Sequence, residues 1–127
     1  MWTYEQASGQ LARDGEKSAL GYSGRGVGKN NPLYERVPNV GPIPRGVWII
    51  GKAFNTPDHG PIVMTLMFNR NVGHAETSPF GRSGFLMHGD SAERPGLVSK
   101  GCIVLPRPTR EVIASAVVAG DNLLYVV

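Results

Sequence analysis

The 127-residue chain has little of several things, and each shortage excludes something. It holds one cysteine, Cys102, so no internal disulfide and no cysteine-rich zinc module can form. Its longest apolar run, residues 112–119, is interrupted by Ser115 and is too short to span a bilayer as a helix. The opening Met1-Trp2-Thr3-Tyr4-Glu5-Gln6 carries neither a basic nor an apolar segment of the signal-peptide kind. The expectation is a protein made in the cytoplasm, without membrane insertion. Charge of one sign is scarce too. Lys and Arg number 13 against 10 Asp and Glu, and the basic residues are scattered from Arg13 to Arg110. Nucleic-acid binders gather such residues on one stripe or face, so no nucleic-acid partner is expected.

Glycine and proline, by contrast, are plentiful, at 17 and 10 residues. That many turn formers in a chain that is 41% hydrophobic points to one β-rich domain over residues 1–127 rather than a helical bundle. Trp2–Gln6 alternates large apolar and polar residues as a half-buried strand does, and 11–13 can pair back on it. Asp14-Gly15 marks a tight turn before a third strand at 17–22. Further strands are predicted at 47–50, 61–68, 85–88, 102–105 and 123–127, with a surface loop over 69–82. The Val40–Gly46 segment, with Pro42 and Pro44, is a rigid turn. One helix fits 108–119, with Pro108 in its first turn, Val112, Ile113, Ala116 and Val117 on one face, and Gly120 as its stop. The sum is a compact, mainly β sandwich or barrel of seven or eight strands with one late helix.

The glycine-rich segment 21–32 invites a nucleotide reading and fails it. Ser23 stands where a phosphate-binding loop needs its first Gly, and Asn30 where it needs Ser or Thr. No cofactor is expected. A metal site from His59, His74, His88 and Cys102 lacks any close pair, since the steps between them are 15, 14 and 14 residues.

Two side chains remain that carry chemistry. Cys102 stands in Ser99-Lys100-Gly101-Cys102-Ile103, where a loop enters an apolar strand. Gly101 lets backbone come close to a ligand, amides of such a turn can face a developing oxyanion, and Lys100 beside the thiol favours thiolate. His88 ends the apolar run of Phe85-Leu86-Met87 just before Gly89 and Asp90. A thiol and an imidazole at neighbouring strand ends form a nucleophile and its base.

His88-Gly89-Asp90 followed by Ser99-x-Gly101-Cys102-Ile103 resembles the active-site signature of the L,D-transpeptidases of YkuD type. More closely, the chain resembles the small L,D-transpeptidase-like antibacterial effectors of type VI secretion. Trp2-x-Tyr4, Ser8-Gly9-x-Leu11, the Gly21–Asn30 and Val40–Gly46 segments and Gly81-Arg82-Ser83-Gly84-Phe85 follow that pattern in order. Ordinary L,D-transpeptidases usually carry His where Lys100 stands and Arg where Val104 stands, and the chain departs from them there.

The resemblance implies an L,D-transpeptidase-like fold and a cysteine L,D-carboxypeptidase or transpeptidase acting on peptidoglycan tetrapeptide stems. A housekeeping transpeptidase and a non-catalytic wall-binding module are the alternatives. Cys102 is then the nucleophile and His88 the base. The Gly89 carbonyl fixes the imidazole tautomer, and the N–H groups of Gly101 and Cys102 form the oxyanion hole. Asp90 and Ser99 shape the turns, and Arg82 either grips a stem carboxylate or forms a surface ion pair. The same resemblance implies delivery by type VI secretion components, action in a target cell's periplasm and a cognate immunity protein as partner.

Overall fold

The structure, a computed structural model, describes residues 1–69 and 79–127. Most of the loop expected over 69–82, and with it His74, lies outside the described residues. The chain opens with three antiparallel strands, β1 (Trp2–Tyr4), β2 (Gln10–Arg13) and β3 (Glu16–Leu20). Asp14 and Gly15 both take positive φ, 49° and 85°, the twist a two-residue hairpin turn needs. A short β4 (Tyr22–Ser23) follows; then β5 (Gly46–Ile50), β6 (Phe54–Thr56), β7 (Gly60–Phe68), β8 (Leu86–His88) and β9 (Ile103–Val104). The helix α1 (Arg107–Val118) and β10 (Leu123–Val126) complete the chain.

Nine of the strands form one path, β3-β2-β1-β10-β5-β7-β8-β9-β4, and β6 pairs with β7 beside it. The two ends of the path, β3 and β4, are joined in sequence through Gly21, whose N–H donates to the Gly9 carbonyl. The sheet therefore curls into a nearly closed barrel, which protects its edges. The mainly β class with a single helix is as the sequence indicates. Ten strands are found among the described residues rather than seven or eight. The two extra ones, β4 and β6, span two and three residues. Such pieces are too short for a period and exist only through pairing with distant partners, β9 and β7.

The buried side chains form one cluster around Trp2, Tyr4, Trp48, Met64, Met87, Ile103 and Leu124. Trp48 meets Phe68 and Phe85 edge to face at 5.1 and 5.0 Å. On α1 the buried residues are Arg110, Ile113, Ala116 and Val117, a stripe at i, i+3, i+6 and i+7. Val112, expected on that face, is half exposed, and Arg110 takes the inner position instead. The helix ends in left-handed Gly120 (φ 99°), with Gly120 N–H donating to Val117 O and Asp121 N–H to Ala116 O. The assignment of faces is checked by urea unfolding. Ile113→Ala should cost about 2–5 kcal/mol, and Val112→Ala at most about 0.5 kcal/mol. Equal losses would contradict the observed face.

Candidate active site

The segment before β9 is tied down by hydroxyls. Ser99 is buried, and its Oγ donates to the Cys102 carbonyl at 2.6 Å while accepting from the amides of Gly24 (2.9 Å) and Gly101 (3.1 Å). Ser23 Oγ donates to the Gly101 carbonyl and accepts from the Ile43 amide, both at 2.8 Å. Gly101 itself sits at φ 131°, where a Cβ would press on Arg82 Nη2 and the Phe85 ring at 2.6 and 2.8 Å. Only glycine fits this turn. One expectation fails here. The Gly101 amide is already bonded to Ser99, so it is not a donor facing the cleft.

Arg82 departs from both of its expected roles. Its side chain is buried, and its Nη atoms donate to four main-chain carbonyls. Nη1 reaches Glu35 and Pro42 at 2.7 Å each, and Nη2 reaches Gly41 (3.0 Å) and Lys100 (3.2 Å). The guanidinium thus clamps the proline-containing turn to the loop carrying Cys102. Among the described residues it forms no ion pair, and with its donors so engaged it is not a carboxylate grip.

The pairing of β8 with β9 sets the chemistry. The two strands run parallel with Met87 opposite Ile103 and His88 opposite Val104. Met87 and Ile103 are fully buried in the core. Side chains alternate along a strand, so His88 and Cys102 project together from the other face, one diagonal step apart. Both line a cleft of about 490 Å³ with His59, Arg82, Phe85, Leu86 and Lys100 among its walls. Among the described residues, no Asp or Glu lines it.

His88 Nδ1 lies 2.8 Å from the Gly89 carbonyl oxygen. A carbonyl only accepts, so Nδ1 carries the proton and the neutral ring keeps its lone pair on Nε2. Burial pushes the imidazole below its usual value of 6.5. The Gly89 contact and Asp90 act the other way, whereas the charges of His59 and Arg110 add to the depression. The His59 ring stacks on that of His88, with centroids 4.5 Å apart and planes 26° from parallel.

The Cys102 thiol is half-buried and lies 3.9 Å from the Gly84 carbonyl. Burial pushes it up from the usual value. The amides of Leu86 and of Cys102 itself, and the Arg82 charge, pull it partly back. The cation acting on the sulfur is therefore Arg82, not Lys100, which is exposed at the cleft rim. With the thiol raised and the imidazole lowered, the resting pair is neutral thiol and neutral imidazole. The sulfur is therefore not a preformed thiolate.

Asp90 faces away from this chemistry. It accepts from Tyr22 Oη (2.7 Å) and from the amides of Ser91 and Gly96, fixing the turn after β8. Burial opposes its charge, but those hydrogen bonds and Lys29 hold its carboxyl below the usual value. Two contributors escaped the sequence reading, the Leu86 amide and the His59 ring. The first is a backbone group without a sequence signature. The second was visible in Asp58-His59-Gly60, a turn between two β runs, but its position over His88 depends on tertiary pairing. Among the described residues, no three His, Cys, Asp or Glu side chains gather as a metal site, and no helix is long and apolar enough to cross a membrane.

No curated protein matches the chain. A family model, described as the Tlde1 domain, matches residues 17–126, which include β3 but for Glu16, all of β4 to β10 and every described side chain lining the cleft. The Trp2-x-Tyr4 and Ser8-Gly9-x-Leu11 blocks precede the matched span. The chain belongs to the Tlde1 domain family, the family of type VI secretion L,D-transpeptidase effectors.

Proposed function

We propose that the protein is a cysteine L,D-carboxypeptidase and transpeptidase that removes or exchanges the terminal D-alanine of peptidoglycan tetrapeptide stems. The observation that carries this is the diagonal pairing of His88 and Cys102 on the cleft face, with His88 Nδ1 held by the Gly89 carbonyl. The substrate's scissile carbonyl belongs to the L-centre of a diamino acid. His88 Nε2 takes the thiol proton as the sulfur bonds to that carbonyl carbon. The tetrahedral intermediate collapses by breaking the C–N bond, and His88 returns the proton to the departing D-alanine amine. A thioester on Cys102 remains. Water, or the amine of an incoming D-amino acid or neighbouring stem, then gives a proton to His88 and attacks. The C–S bond breaks and the thiol is restored.

Negative charge builds beside the sulfur, where the amides of Leu86 and Cys102 point. Each such donor is worth about 3 kcal/mol to a transition state of this kind. The described lining, which holds Arg82, Lys100 and His59, suits a substrate bearing carboxylates. Membership of a type VI effector family supports secretion, and the proposal extends to delivery by type VI secretion components and action in a target cell's periplasm. A cognate immunity protein covering the cleft completes the proposal. A housekeeping cross-linker would join stems, whereas an effector depletes tetrapeptide donors. A wall-binding module would release nothing.

Digestion of purified peptidoglycan, followed by mass analysis of the stems, separates these outcomes. Wild type should convert tetrapeptides to tripeptides or exchanged tetrapeptides. Cys102→Ala should abolish the conversion, and His88→Ala should lower it by about 10²–10⁴-fold, both with unchanged circular dichroism. Full conversion by either variant would remove that residue from the mechanism.

The pH profile is a second test. His88 must be neutral to accept the proton, and its pKa lies below 6.5, so kcat/KM should rise with pH along an acid limb centred below 6.5. Alkylation of Cys102 by iodoacetamide in His88→Ala should have its midpoint above the ordinary cysteine value, about 8.5, because burial favours the thiol. An acid limb above 6.5, or a thiol titrating below the ordinary value, would contradict the neutral resting pair.

A further inference from the structure

A hydrogen bond at Nδ1 leaves an imidazole one soft motion, rocking about the Nδ1···O axis. That motion would swing Nε2 out of line with the sulfur. The ring most able to stop it belongs to His59, lying flat against His88 at 4.5 Å. His59 stands on the turn between β6 and β7, and that turn is braced from both sides. The His59 amide donates to Thr56 Oγ1 (2.8 Å), and the Ile62 amide to Asn55 Oδ1 (3.1 Å). Arg110, buried on α1, donates to the carbonyls of Pro61 (2.7 Å) and Ile62 (2.9 Å). The same guanidinium packs on Gly89, where a Cβ would meet its Nη2 at 2.6 Å. The helix thus steadies both the turn carrying His59 and the residue whose carbonyl holds His88. Ile62 adopts φ 58°, a conformation a β-branched residue keeps only where its surroundings enforce it.

We propose that His59 is a positioning residue for the His88 base, its stacked ring fixing the tilt that the Gly89 carbonyl leaves free. The proposal rests on the reading of His88 as the base, and it adds a residue that touches neither thiol nor scissile carbonyl. The charged groups acting on His88 are His59 from the β6–β7 turn, Arg110 from α1 and, at longer range, Asp90 from the following loop. Asp90 favours the imidazolium, whereas His59 and Arg110 oppose it. Removing His59 therefore has two separable consequences: a looser ring and a more basic one.

The test uses His59→Ala, which loses ring and charge, and His59→Phe, which keeps a flat ring without charge. The turn's backbone and Asn55 contacts do not use the His59 side chain, so both variants should fold, as their NMR spectra will report. With a tetrapeptide stem, His59→Ala should lower kcat by about 10–100-fold with KM nearly unchanged, the cost of a misaligned base. His59→Phe should restore most of that loss. In a Cys102→Ala background, the ring protons of His88 should lose their ring-current shift in His59→Ala and keep one in His59→Phe. In both variants the His88 midpoint should move upward, because a positive neighbour is gone. Phenylalanine performing no better than alanine, or an unchanged His88 ring shift in His59→Ala, would overturn the proposal. If wild type itself releases no D-alanine, the activity proposed above fails, and the ring shifts still decide whether His59 holds His88.

Discussion

The parallel pairing of β8 with β9 is the constraint on which the site depends. Two strands of three and two residues contribute few hydrogen bonds, yet their register decides which side chains face the cleft. A slip of one residue would send Cys102 toward the core and bring Ile103 to the cleft. The register is held from outside the pair. Ser99 and Ser23 fasten the backbone of Gly101 and Cys102, and β4 pairs with the far side of β9. Met87 and Ile103 lock the inner face into the core.

The electrostatics follow from that burial. A half-buried thiol and a buried imidazole both resist charge, so the pair rests neutral. Arg82 adds a fixed positive charge near the sulfur. Its donors are satisfied by carbonyls of three loop segments, so the same guanidinium is a structural clamp and a source of field. A charge fixed in this way would not have to move during the proposed reaction, which is the condition under which it is most effective.

Much of this was legible in the sequence. Alternation in the opening strands, the Asp14-Gly15 turn, the proline-bounded segment before β5 and the helix with its Gly120 stop are local signals, and they read correctly because nearby residues determine them. Glycine at 101 and the apolar run into His88 marked the two strand ends that carry Cys102 and His88. The missed features are tertiary. β4 and β6 have no period of their own. Arg82 reads as a surface cation until the carbonyls of 35, 41, 42 and 100 are found around it. Arg110 displaces Val112 from the inner face of α1 because carbonyls of residues 61, 62 and 105 there need donors, which a hydrophobic pattern does not record. The Gly101 amide looked free because nothing in the sequence says that Ser99 folds back onto it.

The central claim is that the sulfur at 102, served by the imidazole at 88, becomes covalently bonded to the substrate. Acid quenching of the protein during turnover of a tetrapeptide stem, followed by intact and peptide mass analysis, reads this directly. The account predicts an adduct on Cys102 whose added mass equals the tetrapeptide stem minus free D-alanine, that is, the tripeptide less one water, as a thioester requires. D-alanine release with Cys102 unmodified at every quench time, or an adduct mapped to another residue, would contradict it.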